Sequence, residues 1–307
     1  MYTAKTSYKL SVCVVTYNHE KYIRDCLQSI VSQKVNFDYE IIIGNDCSTD
    51  NTGAIVDEFA SAYPNIKVVP YQNNVGASPN LNYVHSLAQG KYVAHCDGDD
   101  VMLPGKLQQQ VDFLEAYEDY SVVWHKIVYF NEKGVECIEP TRPGRANDVG
   151  ETIDFGYALR VGTFAAHSSI MYRKSARITY NPDFYTLDMY YTLEYLTKGK
   201  GMVLNAVLGK YRIDSTSSVR KDVSQMRNAC IAHWSHYLNK FPDHRADVFI
   251  FAFFQMLIDF KNRRSTWKNF FKLMIQSIGL FNLQHLVDTY KSTKYLRIPD
   301  KVRYSHY

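Results

Sequence analysis

The sequence has no stretch approaching the ~18 consecutive apolar residues that a membrane-spanning helix needs. Its first nine residues are polar and the apolar run from Leu10 to Val15 is short, so no secretory leader is expected. Six cysteines (Cys13, Cys26, Cys47, Cys96, Cys137, Cys230) are scattered without a CxxC pair. That argues against a cysteine zinc site and against a compact disulfide framework. Several sit in apolar runs, where a reduced thiol behaves as a small hydrophobe, and a reducing cytosol is the simplest setting. A net charge of +4 is too small to argue for a nucleic-acid partner. There is no internal repeat and no low-complexity tract. What the chain does have is 46% hydrophobic residues, with 25 Tyr and 16 Phe among 307 positions. That is enough for one large α/β domain with an appendage, or for two domains. Aromatic planes suit nucleobases and sugars, but most of these rings are expected to fill the core.

The pattern along the first hundred or so residues alternates between strand and helix. Leu10–Val15 reads as a buried strand, followed by the loop Thr16-Tyr17-Asn18-His19 and a helical repeat over 20–33. A second strand at 39–44 runs into Asn45-Asp46-Cys47-Ser48. Helices are expected at 52–63 and 81–89, with short strands at 66–70 and 91–95. This order predicts a mostly parallel sheet with helices on both faces. Ligands of such sheets lie outside the carboxyl ends of the strands. Three polar clusters fall at those ends: Thr16-Tyr17-Asn18, Asn45-Asp46, and Asp97-Gly98-Asp99-Asp100. Asp-x-Asp after a strand can hold a hard divalent cation, or it can be an acidic turn that binds nothing. Their convergence on one edge favours a nucleotide site. From about 103 to 218 the pattern is mixed: a helix at 105–117, a strand at 120–130, a loop at 140–150, a strand at 168–172 and a helix at 186–198. Residues 219–307 are helical in pattern, basic and aromatic.

The segments SVCVVTYNHEKYI (11–23), EIIIGNDCSTDNT (40–52), NNVGASPNLN (73–82), GKYVAHCDGDDVMLPGKLQQQVDFLE (90–115) and GKYRIDSTSS (209–218), in this order, resemble the family 2 glycosyltransferases. These are inverting enzymes of the GT-A fold. The resemblance covers roughly residues 9–218, implying a catalytic domain at 1–218 and a C-terminal helical region at 219–307. It further implies that Val15, Thr16 and Tyr17 of the first loop, together with Asp46, bind the base of a nucleotide-diphosphate sugar. Tyr17 would stack on the ring and Asp46 would accept the N3–H of uracil, making UDP the expected nucleotide. Asp97 and Gly98 would lie at the ribose, and Asp99 would ligate Mn²⁺ or Mg²⁺ bridging the diphosphate. The family often has Asp where Asn45 stands and Gly where Cys47 stands; Cys47 is read as a packed small residue.

Breaking an anomeric C–O bond passes through an oxocarbenium-like state, and the acceptor hydroxyl must lose a proton as it attacks. A carboxylate suits the second task. Asp188, ahead of a helical segment, resembles the family's catalytic acid; an acid there also complements the helix dipole. Asp183 is the second choice. Arg212, with Ser215 to Ser218, resembles the segment that folds over the diphosphate, where its planar fork suits phosphate oxygens. His167 and Ser168 are weaker candidates on the acceptor side, and His95 reads as the strand's last layer. Expected partners are the donor and a glycan or lipid-linked acceptor of surface polysaccharide synthesis, in the cytoplasm or at the inner face of its membrane. The apolar run Val248–Ile258 and the basic, aromatic segment to Met274 fit an interfacial membrane helix, core packing or a homodimer contact. A non-catalytic binding module on the same fold is the alternative of a different class. A sugar-nucleotide pyrophosphorylase would carry a Gly-rich basic loop after the first strand, which Thr16-Tyr17-Asn18-His19 does not resemble.

Overall fold

The computed structural model describes residues 8–140, 147–178, 184–213, 223–279 and 282–293. The apolar run Leu10–Thr16 forms β1 and sits between two parallel neighbours. Tyr39–Asn45 (β2) pairs Ile41 with Val12, and Tyr92–Asp97 (β4) pairs Ala94 with Val12. A strand flanked on both edges and covered on both faces has no solvent side, which is why β1 is buried along nearly its whole length and mostly apolar, with Ser11 satisfied by Glu40. Ile66–Val68 (β3) extends the sheet beyond β2. The crossovers are Ile23–Val31 (α1), Thr52–Ala62 (α2) and Ala77–Ser86 (α3). α1 buries Ile23, Cys26, Leu27 and Ile30, the helical spacing legible in the sequence. α3 begins before the expected Leu81, because Gly76 at φ 89 turns the chain into it.

The second half is mixed. Val101–Met102 (β5), Lys106–Ala116 (α4), Tyr120–Phe130 (β6), Glu136–Ile138 (β7), Gly150–Ile153 (β8), Phe155–Val161 (α5), Met171–Arg173 (β9), Asp188–Leu196 (α6) and Lys200–Arg212 (β10) follow in order. The sheet order is β3-β2-β1-β4-β9-β6-β10-β5, with β7 on β6 and β8 on β10. β9 is antiparallel to both β4 and β6, joining the parallel half to the β6–β10 pair. The sequence pattern did not reveal β10. Its register against β6 shifts between Lys200 and Gly201, between Leu204 and Val207 and again before Gly209, and each irregularity resets the inward–outward alternation.

One core lies on each face of the sheet. Leu10, Val12, Val14, Ile23, Leu27, Val56 and Leu107 fill the first. The second joins Cys13, Val93, Trp124, Tyr157 and Tyr190 to residues of the C-terminal helices, Val223–Lys240 (α7), Arg245–Lys261 (α8) and Trp267–Gln276 (α9). Trp234 of α7 stacks on Phe251 of α8 with ring centroids 3.8 Å apart, and its Nε1 donates to Leu159 O of α5 at 2.8 Å. The helical character expected beyond 218 is found in α7–α9 and in Leu283–Thr293 (α10). The expected boundary itself falls at residues outside those described. Val248, Ile250, Phe251 and Ala252 are buried, so the first part of the apolar run is core packing and is not available to a membrane or a second subunit. Among the described residues no helix is long and apolar enough to cross a membrane.

Candidate active site at the strand-end rim

The three polar loops are tied together by main-chain bonds. The Gly98 amide donates to Val15 O at 2.9 Å, and the Asp46 amide donates to Thr16 O at 3.0 Å. A Cβ at Gly98 would lie 2.6 Å from Thr16 Oγ1, so only glycine lets the β4 loop approach β1 this closely. Val15, Thr16, Tyr17, Asp46, Asp97 and Gly98 therefore share one rim, with Tyr17 exposed on it. Asp46 is only 2% exposed. Its two carboxylate oxygens accept the amides of Val75 (2.7 Å) and Gly76 (2.8 Å), anchoring the entry to α3. This is a duty the sequence did not announce; each oxygen keeps a further lone pair. Cys47 adopts φ 54, the left-handed region, with its Sγ 3.6 Å from Tyr71 O. That conformation is why a glycine is at home there. Asn45 Oδ1 accepts from Ser48 Oγ at 2.5 Å, bracing the same loop.

The acidic loop is held from behind by a buried polar chain. His95 Nε2 lies 3.1 Å from Asp97 Oδ1, His95 Nδ1 lies 3.0 Å from His85 Nε2, and His85 Nδ1 lies 2.8 Å from Tyr172 Oη. With the carboxylate as terminal acceptor, every member is satisfied if protons point the same way: Tyr172 to His85, His85 to His95, His95 to Asp97. Burial alone would raise the Asp97 carboxyl; the electrostatic influence and hydrogen bond of His95 outweigh it and hold Asp97 below the usual carboxylate range. The His167 ring lies tilted against that of His95, 4.0 Å between centroids, and burial pushes it down to about 3, so it is a neutral imidazole. The Asp97 amide donates to Ser168 Oγ at 2.9 Å. Ser168 O in turn accepts from the buried Lys106 Nζ, which also reaches His95 O at 3.4 Å.

Asp99 and Asp100 meet Arg212. Asp100 Oδ1 accepts the Arg212 amide at 2.8 Å, and Arg212 Nε donates to Asp99 O at 3.1 Å. The guanidinium lies 3.9 Å from the Tyr22 ring centroid and 4.4 Å from that of Phe130. Arg212 thus stands beside the acidic loop. Asp100 is 2% exposed and its Oδ2 has no partner among the described residues. Burial, then the charges of Asp99 and Asp97, push its carboxyl well above the usual range. A loop of three acids with an unpartnered buried oxygen is short of positive charge, and its hard oxygen donors fit Mg²⁺ or Mn²⁺. His95, Asp97 and His167 also place ligand atoms within 4.8 Å of one another; imidazole favours manganese over magnesium.

Asp188 opens α6, with its Oδ1 2.7 Å from the Met189 amide. It lines a small cavity with His167, Trp124 and Thr192. Burial raises its carboxyl above the ordinary value and the charge of Asp97 adds to the rise, against the Met189 amide. His167, which shares this cavity, packs on His95 behind Asp97. His233 of α7 approaches Tyr185 O at 3.2 Å, bracing the entry to α6. Asp183 and Ser215 to Ser218 lie outside the described residues. His85, Tyr172 and Lys106 were not singled out from the sequence, and Asp100 only as part of the acidic run. Their only signal was a charged or polar residue where the pattern demanded burial.

Residues 11–180 match the family model described as Glycosyl transferase family 2. The uncharacterized protein Rv1520 of Mycobacterium tuberculosis is 31% identical over 206 residues, 66% of this chain and 58% of the relative. The putative glycosyltransferase EpsE of Bacillus subtilis is 34% identical over 169 residues, 55% of this chain and 57% of the relative. The chain thus spans less than two thirds of either relative. Among solved structures, S. aureus TarS 1–349 in complex with UDP-GlcNAc is similar with a TM-score of 0.69 at 20% identity, over 97% of this chain and 91% of that one. Mannosyltransferase PcManGT from Pyrobaculum calidifontis, in complex with GDP-Man and Mn²⁺, gives a TM-score of 0.55 at 14% identity, over 94% and 87%. At these identities the likeness is one of fold, and the expected GT-A arrangement is the fold found.

Proposed function

Because the chain belongs to glycosyl transferase family 2, we propose that it moves a sugar from a nucleotide-diphosphate sugar, a UDP-sugar, to a glycan or lipid-linked acceptor of surface polysaccharide, with inversion. The observation that carries this reading is the clamping of the three loops at one rim, Gly98 to Val15 and Asp46 to Thr16, beside Arg212. In this reading Tyr17 stacks on the base, Asp46 reads it and Asp97 meets the ribose. Arg212 pairs with diphosphate oxygens, its fork oriented by the Tyr22 and Phe130 rings. Asp188 takes the proton of the acceptor hydroxyl as that oxygen attacks the anomeric carbon from the face opposite the diphosphate. The C–O electron pair leaves with the diphosphate. Burial strengthens Asp188 as a base relative to an ordinary aspartate. A Mn²⁺ or Mg²⁺ held by Asp99 would act as a Lewis acid against the charge growing on the leaving group. The fold shared with proteins solved with UDP-GlcNAc and with GDP-Man and Mn²⁺ supports a donor of this class. The reaction is assigned to the cytoplasmic side, where such donors are made. The 1–218 and 219–307 division is retained for the functional parts, although they share a core.

A thermal-shift screen of nucleotide sugars with and without Mn²⁺ tests this. A donor at ~100 Kd stabilises by about 2.7 kcal/mol. Asp99→Ala should remove the metal-dependent part of the shift and release of free nucleotide diphosphate on adding acceptor. No shift with any nucleotide sugar would refute the proposal. A donor-induced shift with no turnover across an acceptor panel would favour the binding-module alternative.

A further inference from the structure

Half of the exposed large hydrophobic residues among those described lie between 257 and 290. They are not scattered. α9 turns Phe270 and Leu273 into the core, while Phe271, Ile275 and Ile278 stand 45%, 49% and 60% exposed. At 100° per residue Phe271 and Ile275 fall about 40° apart, adjacent to the buried face, and Ile278 follows just beyond the end of the helix. Lys268 and Lys272 occupy the next sector, on the side away from the core. The end of α8 and the turn after it add Phe260, 66% exposed, with Lys261 and Arg263.

The charge on this segment has one sign. From 257 to 279 the sequence contains five Lys or Arg and one acid, Asp259. Asp259 is fully buried and spent internally: it accepts from Thr266 Oγ1 at 2.6 Å and pairs with Arg227 at 2.9 Å and Arg264 at 3.3 Å. That knot binds α7, α8 and the entry to α9, so the exposed stripe is fixed to the body of the protein. A two-fold copy would set the same patch against itself. Lys268 and Lys272 would then meet cations, with no exposed acid in the segment to pair them.

We propose that α9 and the α8–α9 turn dock on an anionic lipid surface. α9 lies flat, Phe271, Ile275 and Ile278 enter the acyl boundary, and Lys268 and Lys272 reach the phosphate layer. Only the exposed part of the basic aromatic segment serves, since Val248, Ile250, Phe251 and Ala252 are in the core. This inference goes beyond sugar transfer and does not depend on it, because it is read without donor or acceptor.

The test is flotation of the full chain with phosphatidylcholine vesicles containing phosphatidylglycerol, and with phosphatidylcholine alone. Flotation is expected with the anionic vesicles and should fall as salt rises. Phe271→Ser with Ile275→Ser, and separately Lys268→Glu with Lys272→Glu, should each reduce the bound fraction tenfold or more, while the circular dichroism spectrum and thermal midpoint stay those of the parent. If either pair destabilises the fold, the single change Ile278→Ser carries the test, with a smaller loss expected. Absence of flotation, equal binding to neutral vesicles, or unchanged binding by both variants would overturn the proposal. A concentration-dependent dimer dissolved by Phe271→Ser, without flotation, would assign the face to a second copy instead.

Discussion

Replacing His85 by Phe should destabilise the protein out of proportion to the small change in volume. His85 is the middle of the chain from Tyr172 to Asp97 and lies within 3.0 Å of both neighbours. The substitution leaves His95 Nδ1 without its donor, and Tyr172 Oη with Arg177 at 3.5 Å and the Tyr195 hydroxyl. Both neighbours are fully buried. An orphaned buried polar group costs about 1–3 kcal/mol, so His85→Phe should cost about 2–5 kcal/mol, the lower part if Arg177 closes on the hydroxyl. Tyr172→Phe alone orphans His85 Nδ1 and should cost about 1–3 kcal/mol. The double variant removes donor and acceptor together, leaving only His95 Nδ1 exposed to the penalty. It should be no less stable than His85→Phe alone, giving a coupling of about 1–2 kcal/mol. Urea denaturation of the four proteins measures this. Strictly additive costs, or a His85→Phe cost below ~1 kcal/mol, would refute the chain as a linked polar network. The same variant should raise the donor KM more than it lowers kcat, since Asp97 loses its backing while Asp188 is untouched.

Other outcomes follow from single residues. Asp188→Asn should leave the donor-induced thermal shift intact while kcat falls by roughly 10²–10⁴-fold. In the parent, activity should fall as pH drops through the raised Asp188 value, so the acid limb of kcat/KM lies above that of an ordinary aspartate; normal turnover by Asp188→Asn removes the assignment. Cys47→Gly should raise stability in urea by about 0.5–1 kcal/mol, because the left-handed φ 54 penalises a side chain; a loss would show that Cys47 packing outweighs the backbone. Lys106, buried, is pushed down from 10.5 to about 8. Between those values the unfolded chain binds a proton that the folded one releases, so stability from this group rises with pH there and is flat below. Lys106→Met should abolish that rise, read from urea midpoints at pH 7.5 and 9.5.

The alternation of apolar strand and amphipathic helix in the first half determined the parallel sheet before any coordinates, because each element is buried in a way its own period records. β1 is mostly apolar, with Val12 to Val15 unbroken, since both edges and both faces are covered; α1 shows the helical spacing since only one face is. The strand-end position of Asp97, Asp99, Thr16 and Asp46 follows from that order, and so did the rim. Tertiary structure alone decided the rest. β10 escaped notice because register shifts break its alternation, and its pairing to β6 is made by residues far away in the chain. That His95 backs Asp97, through His85 and Tyr172, depends on β9 lying antiparallel beside β4. That Asp46 holds the α3 entry depends on where the Val75–Gly76 turn comes to rest. The apolar run beyond Val248 was open to three fates, and helix packing split it between a buried half and an exposed one. Local periodicity reports what each segment buries; only the assembled fold reports against what.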